Sequence, residues 1–407
     1  MKDFLQNFIK SKGIWVGISM FISRLCTFLV TVFVARTLSV SEFGLATSAL
    51  NFLSFFIVLA GIGSVNGILK YGVILNEKDK ETLFKYTLSY GILANILVSF
   101  LIIILSFIFF YNDISVAKLA SLLALRFFGN YFIDQKMAES RAHFQNEKFA
   151  KIVISTSIFA FFLSVVLTYF YHFTGYIISL CVAPYIILFF FKWEISFKRI
   201  NFKQFTEKEF WKFSYVTAIS AQISTWVLIL DIFFIGILLG NDAVAEYRIS
   251  CLIPSNLIII GTIILQTEYP KLCEKWEDKK YQFNFIFNYF KIIGLFSFFI
   301  LVFGFLYSSE ILHLFGNQYN NILIFKVSLV STIIMLLFRV PFIYLIYALG
   351  KTQYNLVLAL ISVFILCGFY FVIPLYGTNG AAYYFLFSFT IISFFYMGTY
   401  FYLIKRI

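Results

Sequence analysis

The chain has 407 residues, 61% of them hydrophobic and 13% charged, with five prolines and a formal net charge of +12. A soluble protein of this size cannot hide that much apolar surface, because packed cores split into domains and still need a polar exterior. A soluble enzyme or binding module is therefore excluded, and anionic headgroups account for the positive charge without a nucleic-acid partner.

Apolar runs of about 20 residues, the length that crosses a ~30 Å hydrocarbon layer, predict about twelve spans. Their limits are 13–36, 44–69, 83–111, 115–138, 149–171, 174–193, 211–239, 244–269, 283–307, 321–349, 352–374 and 379–403. The first run, from Gly13 to Ala35, is longer than a signal-peptide core and lacks a small-residue cleavage site after it, so it is expected to remain as a span. Lys and Arg concentrate in alternate loops. With the amino terminus inside, Lys2, Lys10, Lys12, Lys78, Lys148, Lys198, Arg199, Lys275, Lys351, Lys405 and Arg406 fall on the cytoplasmic face. The opposite face receives Arg36, Lys118 and Arg248, plus Lys326 if it snorkels. Both termini are therefore expected in the cytoplasm.

The five cysteines have no ligand spacing, and Cys26, Cys181, Cys251, Cys273 and Cys367 lie mostly inside apolar runs, as small hydrophobes do. His143, His172 and His313 are scattered, so no metal is expected. No cofactor is expected, and the absence of a GxxxxGK[ST] phosphate loop argues against direct ATP use. Aromatic residues make up 21% of the chain, which codon usage at lipid-facing positions can explain; the alternative is that some line a cavity and stack on sugar rings.

Shifting the chain by about 201 residues lays "FVARTLSVSEFGLATS" over "FIGILLGNDAVAEYRI", each a span end, a short outward turn and a new span. Six spans per half would give the halves one orientation. The expected fold is an all-α integral membrane protein of two six-helix bundles related by a pseudo-two-fold axis normal to the membrane. The bundles are residues 1–193 and 213–407, with a substrate path expected between them. The basic stretch 194–212 is the expected cytoplasmic linker, read as a solvated amphipathic surface helix.

The stretch "ARTLSVSEFG", the following "FGLATSALNFLSFF" and the two sixes of spans resemble the polysaccharide-transport branch of the multidrug/oligosaccharidyl-lipid/polysaccharide (MOP) exporter superfamily, in particular the O-antigen (Wzx-type) flippases. The resemblance covers nearly the whole chain, with Ala35 to Gly44 as its motif-like part and an echo at Leu238 to Tyr247. It implies translocation of an undecaprenyl-diphosphate-linked oligosaccharide across the bacterial inner membrane, in lipopolysaccharide and O-antigen biosynthesis. A polysaccharide polymerase and a chain-length regulator would be its partners beside membrane lipid.

Charges inside the spans sharpen that expectation. Arg24, Arg126 and Arg339 lie deep in the first, fourth and tenth spans, and Arg248 near the outer end of the eighth. A guanidinium at a helix centre costs about 2.5–3.5 kcal/mol on insertion scales, so it faces away from lipid, paired or lining a wet cavity. Arg24 shares a helix face with Thr27 and Thr31, and Arg126 with Asn130 and Asp134; Ser224 with Asp231 and Arg248 with Ser255 form further polar stripes. Such stripes also suit plain helix packing. Read as a cavity, Arg24, Arg126, Arg339 and Arg248 hold the diphosphate, because the planar guanidinium can donate two hydrogen bonds at once. Thr27, Thr31, Asn130, Ser224 and Ser255 line it. Asp231 and Asp134 are candidates for ion coupling, although an outward-moving anion already gains about 2.3 kcal/mol per 100 mV of inside-negative potential. The competing readings are a multidrug antiporter of the same superfamily, against which the surplus of mid-span cations counts, and a membrane polymerase or acyltransferase, against which the short outward loops count.

Overall fold

The computed structural model describes residues 13–200 and 202–406; Lys2, Lys10 and Lys12 lie outside them. The backbone is all-helical and divides into two compact units, Met1–Gln222 and Ile223–Ile407.

In the first unit, α1 (Gly13–Thr37) leads through a two-residue turn to α2 (Val40–Ser54). The turn explains the motif-like stretch: Ser39 and Glu42 form a capping box, the Ser39 hydroxyl accepting from the Glu42 amide (3.3 Å) and the Glu42 carboxylate from the Ser39 amide (3.0 Å). In the echo, Gly240 stands where Ser39 does and opens the next helix at φ +89° with no side-chain cap. The second span is broken after α2: Gly61, Ile62 and Gly63 all take left-handed backbone angles before α3 (Ser64–Tyr71) begins. Then come α4 (Glu77–Phe109), capped by Asn76, and α5 (Ile114–Ala142), capped by Asp113, with α5 packed against α2, α3 and α4.

The run α6 (Asn146–Val182) holds two crossings. The Ser164 and Ser179 hydroxyls are 3.0 Å apart, whereas residues 15 apart on a straight helix are separated by about 22 Å. The chain therefore reverses at His172, whose φ is +49°. Both α1 and α5 pack on this hairpin.

The stretch expected as a surface helix is a correction. Residues 192–200 and 202–205 are irregular, and Ile200 and Phe205 are buried among Leu83, Phe84, Tyr86 and Ala138. Its apolar residues are too irregularly spaced for one helical face, and Phe-rich chain docked on a core buries more of them. Ser196 N–H donates to Ser89 Oγ (2.7 Å), and Lys85 pairs with Glu194, whose carboxyl it holds below the usual range. Residues 207–212 belong not to a linker but to α7 (Glu207–Trp226), opened by a Thr206–Glu209 capping box.

The second unit contains α8 (Leu230–Leu239), α9 (Asn241–Asn256), α10 (Ile258–Glu274), α11 (Lys279–Leu306), α12 (Ile322–Phe338), α13 (Val340–Ala348), α14 (Thr352–Leu366) and α15 (Phe369–Lys405). The run α15 also folds back, at Gly377, since the Phe369 and Tyr384 rings lie 5.0 Å apart. Its first part continues α14 as one span. Among the described residues nine helices are long and apolar enough to cross a bilayer, and α7 with α8 makes a tenth bent by 57°. The two reversals raise the crossings to twelve.

Candidate translocation site

On α5, Arg126, Asn130 and Asp134 follow one another at four-residue spacing and are all half-buried. Arg126 lies beside Tyr176 and Cys181 of the α6 hairpin, and neither it nor Asp134 has an ion-pair partner among the described residues. One residue along, Tyr131, Gln135 and Glu139 form a second stripe that sequence reasoning missed, although its four-residue spacing was there to read. Tyr131 is fully buried; its hydroxyl donates to Thr87 O (2.8 Å) and sits 3.2 Å from Ser64 Oγ. Gln135 Nε2 reaches Thr87 Oγ1 (3.1 Å) and Glu139 Oε1 (3.2 Å), and Glu139 holds Lys136 at 2.7 Å. The ring fits only because Gly91 and Gly61 face it: a Cβ on Gly91 would lie 1.8 Å from Tyr131 Oη.

Arg24 is exposed on α1, with no hydrogen bond or ion pair among the described residues. Thr27 and Thr31 donate to Ser23 O and Thr27 O of their own helix (2.9 Å each), which leaves their hydroxyl oxygens free to accept. No ion pair, hydrogen bond or ring contact joins Arg24 to Arg126.

In the second unit Asp231 is buried at the start of α8, accepting from the Ile232 amide (2.8 Å). Arg248, Tyr247 and Cys251 of α9 surround it, and Cys251 Sγ is 2.9 Å from Ser328 Oγ of α12. Asp231, a candidate for coupling, and Arg248, a candidate for diphosphate, thus share one cluster, though they do not close to ion-pair distance. Ser224 and Ser255 are exposed, and Ser255 Oγ donates to Leu252 O (3.0 Å).

Arg339 occupies the break between α12 and α13, just before Pro341. It is 7% exposed, its guanidinium 5.5 Å from the Phe389 ring and 5.6 Å from Tyr396, and its Nε has no partner. No carboxylate pairs with it among the described residues. Open aromatic surface does exist in this unit, where Tyr376, Tyr383, Tyr384, Phe387 and Asn379 line a groove of about 440 Å³.

Residues 33–324 match the family model described as polysaccharide biosynthesis protein. The chain belongs to that family. No curated protein matches it in sequence. Its fold is that of the MOP superfamily: an inward-facing multidrug resistance MATE family transporter superposes with a TM-score of 0.69 at 14% identity, covering 97% of this chain and 98% of that one. The lipid II flippase MurJ, in an inward closed conformation, gives 0.64 at 16% identity over 95% and 87%. A MOP superfamily transporter from Pyrococcus furiosus, described as having a binding pocket of reversed polarity, gives 0.61 at 13% identity over 98% and 95%. These neighbours are described as transporters and a flippase. The chain is a multi-pass membrane protein with the fold of these transporters.

Proposed function

We propose that this protein flips a lipid-linked oligosaccharide, carried on undecaprenyl diphosphate, from the cytoplasmic to the periplasmic leaflet of the bacterial inner membrane. An O-antigen or related surface-polysaccharide unit is the cargo, and both termini are cytoplasmic. One observation carries the reading: Arg126 and Arg339, deep in spans of different units, have no carboxylate paired with them among the described residues. An unpaired guanidinium in a membrane protein is a stability liability, so its retention calls for an anionic partner that comes and goes. A diphosphate supplies two strong acceptor groups for planar guanidinium forks. Sugar hydroxyls cannot cross hydrocarbon unaided, since each loses its water partners at a cost of a few kcal/mol, whereas the polyprenyl tail can stay in lipid. Arg24, exposed on α1, and Arg248 are the further cations of this reading, with Thr27, Thr31, Asn130, Ser224 and Ser255 as polar lining. Asp231 and Asp134 are the groups through which an ion gradient could act, and alternating access is the expected cycle.

The test is complementation in a strain lacking the protein, with surface glycan and membrane-inserted protein measured together. Arg126→Ala and Arg339→Ala are expected to abolish surface glycan at near-normal protein levels, and Arg→Lys to restore it only in part, because a point charge loses the bidentate geometry. Wild-type glycan from the double Arg126→Ala, Arg339→Ala variant would refute the reading.

A further inference from the structure

The break in the second span is held by a side chain from another helix. Gln222 of α7 is 2% exposed; its Oε1 accepts from the Val58 amide (3.0 Å) and its Nε2 donates to Ser54 O (3.1 Å). In an unbroken helix those two backbone groups bond to each other, as residues i and i−4. The glutamine amide is therefore inserted into one rung of the helix ladder and satisfies both halves of it. The same face of α7 grips the chain beyond the break. Phe210, Ser214, Ala218 and Gln222 recur every four residues; a Cβ on Gly63 would lie 2.5 Å from Ser214 O and 2.6 Å from Ala218 Cβ, and one on Gly67 2.4 Å from Ser214 Oγ. Asn95 Oδ1 takes the Gly61 amide (2.8 Å).

The repeat offers a contrast. A shift of 201 residues carries Phe55 onto Asn256, and the eighth span also breaks there, between α9 and α10. One turn before its break that span carries Pro254, which has no N–H to give to the Ser250 carbonyl, so one rung there is missing covalently and permanently. In the second span every backbone donor is intact. Its rung is missing only while Gln222 occupies it.

We propose that Gln222 is a releasable clasp that couples the bend of the second span to the position of α7, the helix through which the chain passes from the first unit to the second. When α7 withdraws the amide, Ser54 O and the Val58 amide pair with each other and the span straightens above Gly61. Gln222 is thus a positioning residue of the transport cycle, whatever the cargo.

The test uses full-length protein in lipid nanodiscs, the native cysteines replaced, with nitroxides at Ser41→Cys and Lys70→Cys, both exposed and on opposite sides of the break. A straight helix would put these positions roughly 44 Å apart. In the wild type, pulsed EPR is expected to give a main distance shorter than this and a minor, longer one. Gln222→Leu is expected to shift the main population by several ångströms toward the longer distance. Gln222→Glu, which still accepts from Val58 but cannot donate to Ser54, is expected to fall between. A single narrow wild-type distance would overturn the clasp even if neither variant accumulates, and so would distributions unchanged in both variants, which would assign the bend to Gly61–Gly63 alone.

Discussion

Tyr131 illustrates how much one side chain can hold in a membrane core. Its hydroxyl serves Thr87, Ser64 and Gln135, and its ring lies against two glycines. Tyr131→Phe leaves these buried groups a partner short, at about 1–3 kcal/mol. Gly91→Ala drives a methyl into the hydroxyl, and overpacking of this kind costs about 1–3 kcal/mol. Both are expected to lower the melting temperature of the purified protein, and the double variant by less than the sum, since each disturbs the same contact. Asp231 and Arg248 offer a second residue-scale test. They face one another without closing an ion pair, so Asp231→Asn and Arg248→Gln are expected to be non-additive in melting temperature by the equivalent of about 0.5–3 kcal/mol; simple addition would separate the two residues. Arg339→Met is expected to leave the folded yield equal or higher while flipping is lost, because removing an unpaired buried charge relieves its desolvation.

At the scale of elements, boundaries are set by caps, breaks and reversals. Ser39→Ala removes the hydroxyl of the capping box that opens α2 and is expected to cost about 0.5–2 kcal/mol, read as a lower melting temperature. Pro254→Ala returns a donor to the eighth span, and spin labels on either side of it are expected to move apart as the helix closes its ladder. The chain between Phe191 and Thr206 behaves unlike either element. It has the charge of a surface helix, yet Ile200 and Phe205 reach into the core against Leu83 and Tyr86. Trp211 Nε1 and Tyr86 Oη, 2.7 Å apart, extend that contact into α7, and Tyr86 Oη donates in turn to Glu207 (2.7 Å).

For the molecule as a whole, twelve crossings require that loops an even number of spans apart share one side of the membrane. Cysteines introduced at Glu77, Glu147, Lys203 and Asp278 are expected to react from the cytoplasmic side, and those at Val40, Asn112, Asn241 and Asn317 from the outside. Lys203 is the right probe for the segment before α7, because it is exposed while nearby Phe205 is buried. Reaction of Glu77→Cys and Asp278→Cys from opposite sides would break the pairing of two sixes.

Hydropathy and the turn residues determined the fold class and the family. A segment of some 20 apolar residues has nowhere stable to be but a bilayer, and a backbone without water must close its bonds within a helix. The same logic made the mid-span arginines stand out. Periodicity along one helix cannot say which neighbour a face meets. That is why Asp231 and Arg248 read as separate sites, and why the stripe Tyr131–Gln135–Glu139 went unread, since its meaning depends on Gly91 and Gly61 lying against it. Gln222 is the sharpest case. In the chain it is one of several polar residues in α7, 164 positions from Val58, and only the packing of α7 on the second span decided that its amide would replace a rung of another helix. Local propensity acts over a few residues, whereas a hydrogen bond between distant segments exists only once both are packed.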